Sequence, residues 1–227
     1  MSQKNPSRRK VWKMRKHSNE ELVTRSYLAE FRAVEDEPGV IVGTPIVFNQ
    51  DTVIRDWAGE FIERIDPKAL ATTDMKDVRL FVNHDMSKIA LARSKNGNGT
   101  MSFTVDATGV NMRAILDIDN NAEARALYSA VQRGDLDGMS FGFRVRGQEW
   151  SNLDSERPTR TITDISIIHE VSAVNFPAYP QTSISARSTE ETDYSPLAEA
   201  RAKHTEETAS DVLEMERLKN SYIMRTI

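Results

Sequence analysis

An α+β fold built mostly from antiparallel strands is what this chain predicts, and three observations carry it. Short apolar runs separated by turn residues recur from about Val40 to Arg187. The turn sequence Asp106-Ala107-Thr108-Gly109 lies between two such runs, as in a hairpin. Within that stretch only Asn120–Arg133 carries its apolar residues at helical spacing.

The elements follow in order. Val40-Ile41-Val42-Gly43 and Ile46-Val47-Phe48 read as one strand interrupted near Pro45, whose nitrogen has no hydrogen for a ladder bond. Asn49-Gln50-Asp51 turns the chain. Phe61–Ile65 and Val78–Val82 are two further strands, with Asp66-Pro67 opening a short helical turn between them. Asn96-Gly97-Asn98-Gly99 is a tight turn ahead of the hairpin strands Met101–Val105 and Val110–Leu116. Asn120 and Asn121 are placed to cap a helix with Ala124, Leu127, Tyr128 and Val131 on one face, and Gly134 stops it. Two late strands, Met139–Val145 and Ile162–Val174, are joined through Arg157-Pro158-Thr159.

With 227 residues, 39% of them hydrophobic, the chain has apolar material for one sizeable core. It divides into a basic, partly disordered arm over 1–39, a domain over 40–187, and a charged, helix-prone tail over 188–227. In the tail Val212, Met215, Leu218 and Tyr222 fall near helical spacing. A net charge of −4 argues against a nucleic-acid partner. The absence of cysteine excludes a thiol nucleophile, disulfides and thiolate metal sites. No run approaches the ~20 apolar residues of a membrane span. A soluble, cytoplasmic protein that needs no cofactor and no metal is the expectation.

Chemistry must then come from hydroxyls, imidazoles and carboxylates. Gly138-Met139-Ser140-Phe141-Gly142 fits G-x-S-x-G, which in lipase-like hydrolases marks a nucleophile between a strand and a helix. Here a helix precedes the motif and a strand follows, so that context is reversed. Alternation is more informative. Met139, Phe141, Phe143 and Val145 share the packed face of the strand, which leaves Ser140 on an open one, beside a Gly142 that would let a substrate backbone approach. His84 stands where the strand Leu80-Phe81-Val82 gives way to a polar turn, and is exposed enough to exchange protons as a base. Glu170 interrupts the apolar run Ile165–Val174, and a buried carboxylate requires a partner. That partner is either an imidazole to be oriented or an arginine such as Arg93 or Arg113. Asp85 and Asp164 are weaker candidates for the orienting acid, because each lies in a turn where solvation accounts for it.

In order and spacing these residues resemble the prohead proteases of phages with the HK97-type capsid. The stretches that carry the resemblance include Gly43–Asn49, Glu63-Arg64-Ile65, Asp77–Asp85 with its Asn83-His84-Asp85, Arg133–Phe143 with its Gly-Met-Ser-Phe-Gly-Phe, Glu170-Val171-Ser172, and Pro177-Ala178-Tyr179-Pro180. The resemblance implies an assemblin-like β-barrel with surrounding helices and a serine endopeptidase. In it His84 is the base, Ser140 the nucleophile and Glu170 the orienting acid. The herpesvirus assemblins use a second histidine in that third role, which makes the neighbouring His169 the alternative. The resemblance also implies the phage major capsid protein and its scaffolding segment as partners, self-cleavage, a possible homo-oligomer, and a place inside the assembling prohead in the bacterial cytoplasm.

Three rivals stand beside this reading. A catalytically inactive capsid assembly protein would be expected to lack one of the three groups. A lipase-type esterase demands a parallel sheet and a histidine after the serine. A metallopeptidase is disfavoured by four scattered histidines and the lack of H-E-x-x-H.

Overall fold

The computed structural model describes residues 21–28, 30–175, 184–185 and 195–224. Most of the basic arm and the Pro177–Pro180 block lie outside them. Two sheets make up the molecule. The smaller holds β2 (Phe31–Ala33), β3 (Val40–Val47), β8 (Met101–Val105) and β9 (Gly109–Ile115) in the antiparallel order β2-β3-β9-β8. The larger follows the path β1-β10-β11-β5-β4-β12, made of β1 (Glu21–Leu28), β10 (Gly138–Ser151), β11 (Thr159–Val174), β5 (Gly59–Ile65), β4 (Thr52–Asp56) and β12 (Ile184–Ser185). From β11 the same sheet branches through β6 (Arg79–Val82) to β7 (Ala92–Arg93).

Several local expectations hold for the reasons given. Pro45 sits where the β3–β9 register shifts between Gly43 and Ile46. Asp66 accepts from the Lys68 N–H at 2.7 Å and starts the one-turn helix Pro67–Leu70. The hairpin closes with Val105 opposite Val110, and the Thr108 hydroxyl, the Thr108 N–H and the Gly109 N–H hold the Asp106 carboxyl down to about 2. The helix α1 (Ala122–Gln132) is capped by the Asn121 side chain, which accepts from the N–H groups of Glu123 and Ala124. It ends at Gly134 with φ +74°, the left-handed stop that glycine adopts without steric cost.

The fold is α+β and mostly strand, but among the described residues the strands form no closed barrel, which corrects that expectation. Each sheet ends in unpaired edges, and three of the pairings in the larger one, β11–β5, β11–β6 and β12–β4, are parallel. The two sheets pack face to face instead. Met139, Phe141, Phe143 and Val145 point into one core with Ile41, Ile46, Met112 and Ala114. The Met139 sulfur fills the space over Gly43, and the Phe141 and Phe143 rings stack with centroids 4.5 Å apart. Two strands, β1 and β2, precede Val40, so the larger sheet starts inside the stretch read as an arm. The tail forms α2 (Pro196–Met224), whose first turn buries Leu197 against Ile54 and Phe61 while Val212, Met215 and Leu218 stay exposed.

Sequence reasoning did not foresee a buried ionic cluster in this sheet. Glu63 of β5 is held by Arg25 of β1 at 2.9 Å and Arg160 of β11 at 3.0 Å, all three nearly inaccessible to solvent. Burial alone pushes the Glu63 carboxyl up, but the two guanidiniums outweigh it and leave it below its ordinary range. A carboxyl lowered in the folded state stabilises that state above its unfolded pKa of about 4.3, and the contribution fades as pH falls through the folded value. Denaturant unfolding should therefore show stability declining below about pH 4. At pH 7, Glu63→Gln should cost about 3–5 kcal/mol, because it leaves two buried guanidiniums without a counter-charge. Wild-type stability in that variant would remove the cluster as a determinant of the fold.

Candidate active site

At one end of the larger sheet, β10, β11 and β6 lie side by side. Ser140 is in register with Ser172, and Ser172 with Phe81. Two residues along, Gly142 faces Glu170. Side chains two apart on a strand share a face, so Ser140, Ser172 and Glu170 project from the side of the sheet opposite the Phe141 core.

Beyond β6 the chain enters the turn that carries His84. Asn83 and His84 have φ of +51° and +60°, a left-handed conformation more accessible to Asn and His than to most residues. The turn is tied to β11 at both positions. The Asn83 N–H donates to the Ala173 carbonyl at 2.9 Å, and the His84 N–H to the Ser172 hydroxyl at 3.2 Å. Asn83 Oδ1 accepts from the Asn175 N–H at 3.1 Å. The Asp85 carboxylate accepts from the Ser87 hydroxyl and N–H, which hold its pKa below the ordinary range and leave it a local turn-former.

Held this way, the imidazole meets Glu170. His84 Nδ1 lies 2.8 Å from Glu170 Oε1, which selects the tautomer with hydrogen on Nδ1 and leaves Nε2 without a hydrogen bond among the described residues. The second carboxylate oxygen accepts from Ser172 Oγ at 2.6 Å. Glu170 is 3% exposed, so these bonds replace its solvation. Its partner is thus an imidazole and a hydroxyl. Arg93 is bound to Asp77, and Arg113 to Glu37. Asp164 is engaged by Arg146 at 2.7 Å, which holds its carboxyl low. His169 sits at the β-bulge between the Gly142–Glu170 and Phe143–Ile168 pairs. Its buried Nε2 has no partner, and burial, then the Arg144 charge, pushes its pKa down.

Two expectations about Ser140 and its neighbour are corrected. Ser140 is not on an open face. It is 0% exposed, flanked by β1 and β11, and its hydroxyl donates to the Arg25 carbonyl at 3.0 Å. Gly142 does not leave room for a substrate backbone, since a Cβ there would stand 2.6 Å from Glu170 Oε1. The missing side chain makes room for the Glu170 carboxylate. Sequence reasoning did not single out Ser172, although its place two residues from Glu170 on the same strand face is a signal that it can reach the carboxylate.

Among known proteins, a protein-family model described as Caudovirus prohead serine protease matches residues 16–195. The prohead protease of Enterobacteria phage HK97 is 27% identical over 153 residues, 67% of this chain and 61% of that protein. The chain thus covers less than two thirds of that relative's length. No solved structure matches the chain significantly.

Proposed function

We propose, on the premise that the chain belongs to the caudovirus prohead serine protease family, that it is a serine endopeptidase of capsid maturation. It cuts the scaffolding segment from the phage major capsid protein inside the assembling prohead, in the cytoplasm of the host bacterium. The protease unit is residues 40–187 together with β1 and β2. The two termini are tethers that the enzyme removes by its own cutting. Kinship with the assemblin fold is part of the same reading.

The observation that carries it is the 2.8 Å contact of His84 Nδ1 with Glu170 on the sheet face that also bears Ser140. A serine hydroxyl is a weak nucleophile until a base takes its proton. Here Nε2 of His84 takes the Ser140 proton as Oγ attacks the scissile carbonyl, then delivers it to the leaving amine. Glu170 holds the imidazole in the required tautomer and stabilises its cation. Water hydrolyses the acyl-enzyme by the same route. Turnover requires Ser140 to rotate off the Arg25 carbonyl and its covered face to open.

That burial also favours a second reading, a capsid assembly protein without turnover. Co-expression with the capsid protein separates the two. The active enzyme yields a capsid protein shortened at one terminus, read by intact mass. An unshortened capsid protein in assembled proheads would overturn the peptidase reading. Within the active reading Ser172 is a positioning residue, joined to both Glu170 and the His84 backbone. Losing one hydrogen bond to a charged group costs about 1.5–3 kcal/mol, so Ser172→Ala should lower kcat by about 10–100-fold with little change in KM. A loss as complete as that of Ser140→Ala would make Ser172 the nucleophile instead.

A further inference from the structure

A pocket of about 420 Å³ opens beside the His84 turn, at the end of the larger sheet where Ser140 and Ser172 also lie. Its floor is Phe81, in register with Ser172 and through it with Ser140. Leu127 of α1 and Leu136, just ahead of β10, form one wall. Ile89 and Leu91, from the segment after His84, form the other. Asn83, next to His84, lies at its edge. A 2.9 Å ion pair between Lys88 and Glu123 joins the two walls.

This lining is largely apolar: Leu127 and Leu136 belong to the core between the sheets, Val82 and Leu91 pack against it, and Phe81 lies outside it. Ile89 is 83% exposed, which costs free energy in water unless something covers it during work. Phe81 stands two strand spacings from Ser140, about 10 Å, a distance an extended peptide covers in about three residues. A pocket that small admits a side chain and not a folded partner.

We propose that this pocket is a specificity subsite which takes one large aliphatic or aromatic side chain of the substrate, within about three residues of the scissile bond. The proposal rests on the peptidase reading above. It makes Phe81, Ile89, Leu127 and Leu136 the residues that set that preference, and it places the substrate strand across the His84 turn.

The test uses the full chain co-expressed with its capsid protein, after the cut has been mapped by mass spectrometry. Each of the three residues on either side of the cut is replaced singly by Leu, Ala and Asp. Ala126 lines the pocket from an exposed position on α1, so Ala126→Trp fills it without replacing a core residue. Wild type should process Leu at one of these positions at least 10-fold faster than Asp. Ala126→Trp should remove the advantage of Leu over Ala at that position. Ile89→Asp should reduce Leu processing in the same selective way. Cleavage indifferent to all six positions, or an Ala126→Trp enzyme with the wild-type preference, would overturn the subsite and leave the peptidase intact. Absence of any cleavage would overturn the peptidase reading, and the subsite with it.

Discussion

Ser140→Ala is expected to lower the rate of capsid-protein processing on the order of 10^6-fold. The reason is chemical, since alanine has no atom with which to form the acyl-enzyme. The fold should survive, because the only bond lost is the one donated to the Arg25 carbonyl. A hydroxyl bonded to a neighbouring strand contributes about 1 kcal/mol, well below what a domain needs to stay folded. Unfolding curves measured beside the processing assay separate inactivity from misfolding. A Ser140→Ala chain that still trims the capsid protein at a comparable rate would end the assignment of this serine.

Glu170→Gln is expected to lower kcat by about 10^4-fold, as removal of the charge does in other triads. Glutamine keeps the size of the side chain and fits beside Gly142, so packing is preserved. Its NH2 group can be turned toward His84 Nδ1, which then must accept, and the hydrogen moves to Nε2. That is the tautomer unable to take a proton from Ser140. The imidazolium formed during attack also loses its counter-charge. Nuclear magnetic resonance of the His84 ring should report the exchange of tautomers. Full activity in Glu170→Gln would mean that the 2.8 Å contact is structural. A pH–rate profile gives a second readout, since a merely structural role would leave its acid limb in place.

The three candidate groups were legible because each broke a local pattern. Glu170 stands in an apolar run, His84 at the point where a strand yields to a turn, and Ser140 between the apolar Met139 and Phe141. Alternation sorted Met139, Phe141 and Phe143 to the core face, and the structure places them there. Other features left no such mark. β4 was missed because Thr52–Asp56 carries only two apolar residues, and its strand character comes from pairing with β5. β10 and β11 run beyond the expected ends because their polar continuations pair with one another through Gln148–Ile162 and Trp150–Arg160, not because of their own propensity.

By itself the sequence determined the α+β class, the capped helix, the hairpin and the core face of the strand that carries Ser140, and it singled out three candidate groups. These follow from neighbours within a few residues, where periodicity and turn chemistry act. Only the tertiary structure decided that Glu170 and not His169 reaches His84, that Gly142 makes room for the carboxylate, that Ser172 bonds both Glu170 and the His84 backbone, and that Ser140 is covered. It also decided that the two sheets pack without closing into a barrel and that Glu63 gathers two arginines from distant strands. Each of these depends on strand order, register and bulges, which arise when distant segments meet, as Arg25 and Ser140 do across 115 residues. No local pattern encodes which partner a strand will find.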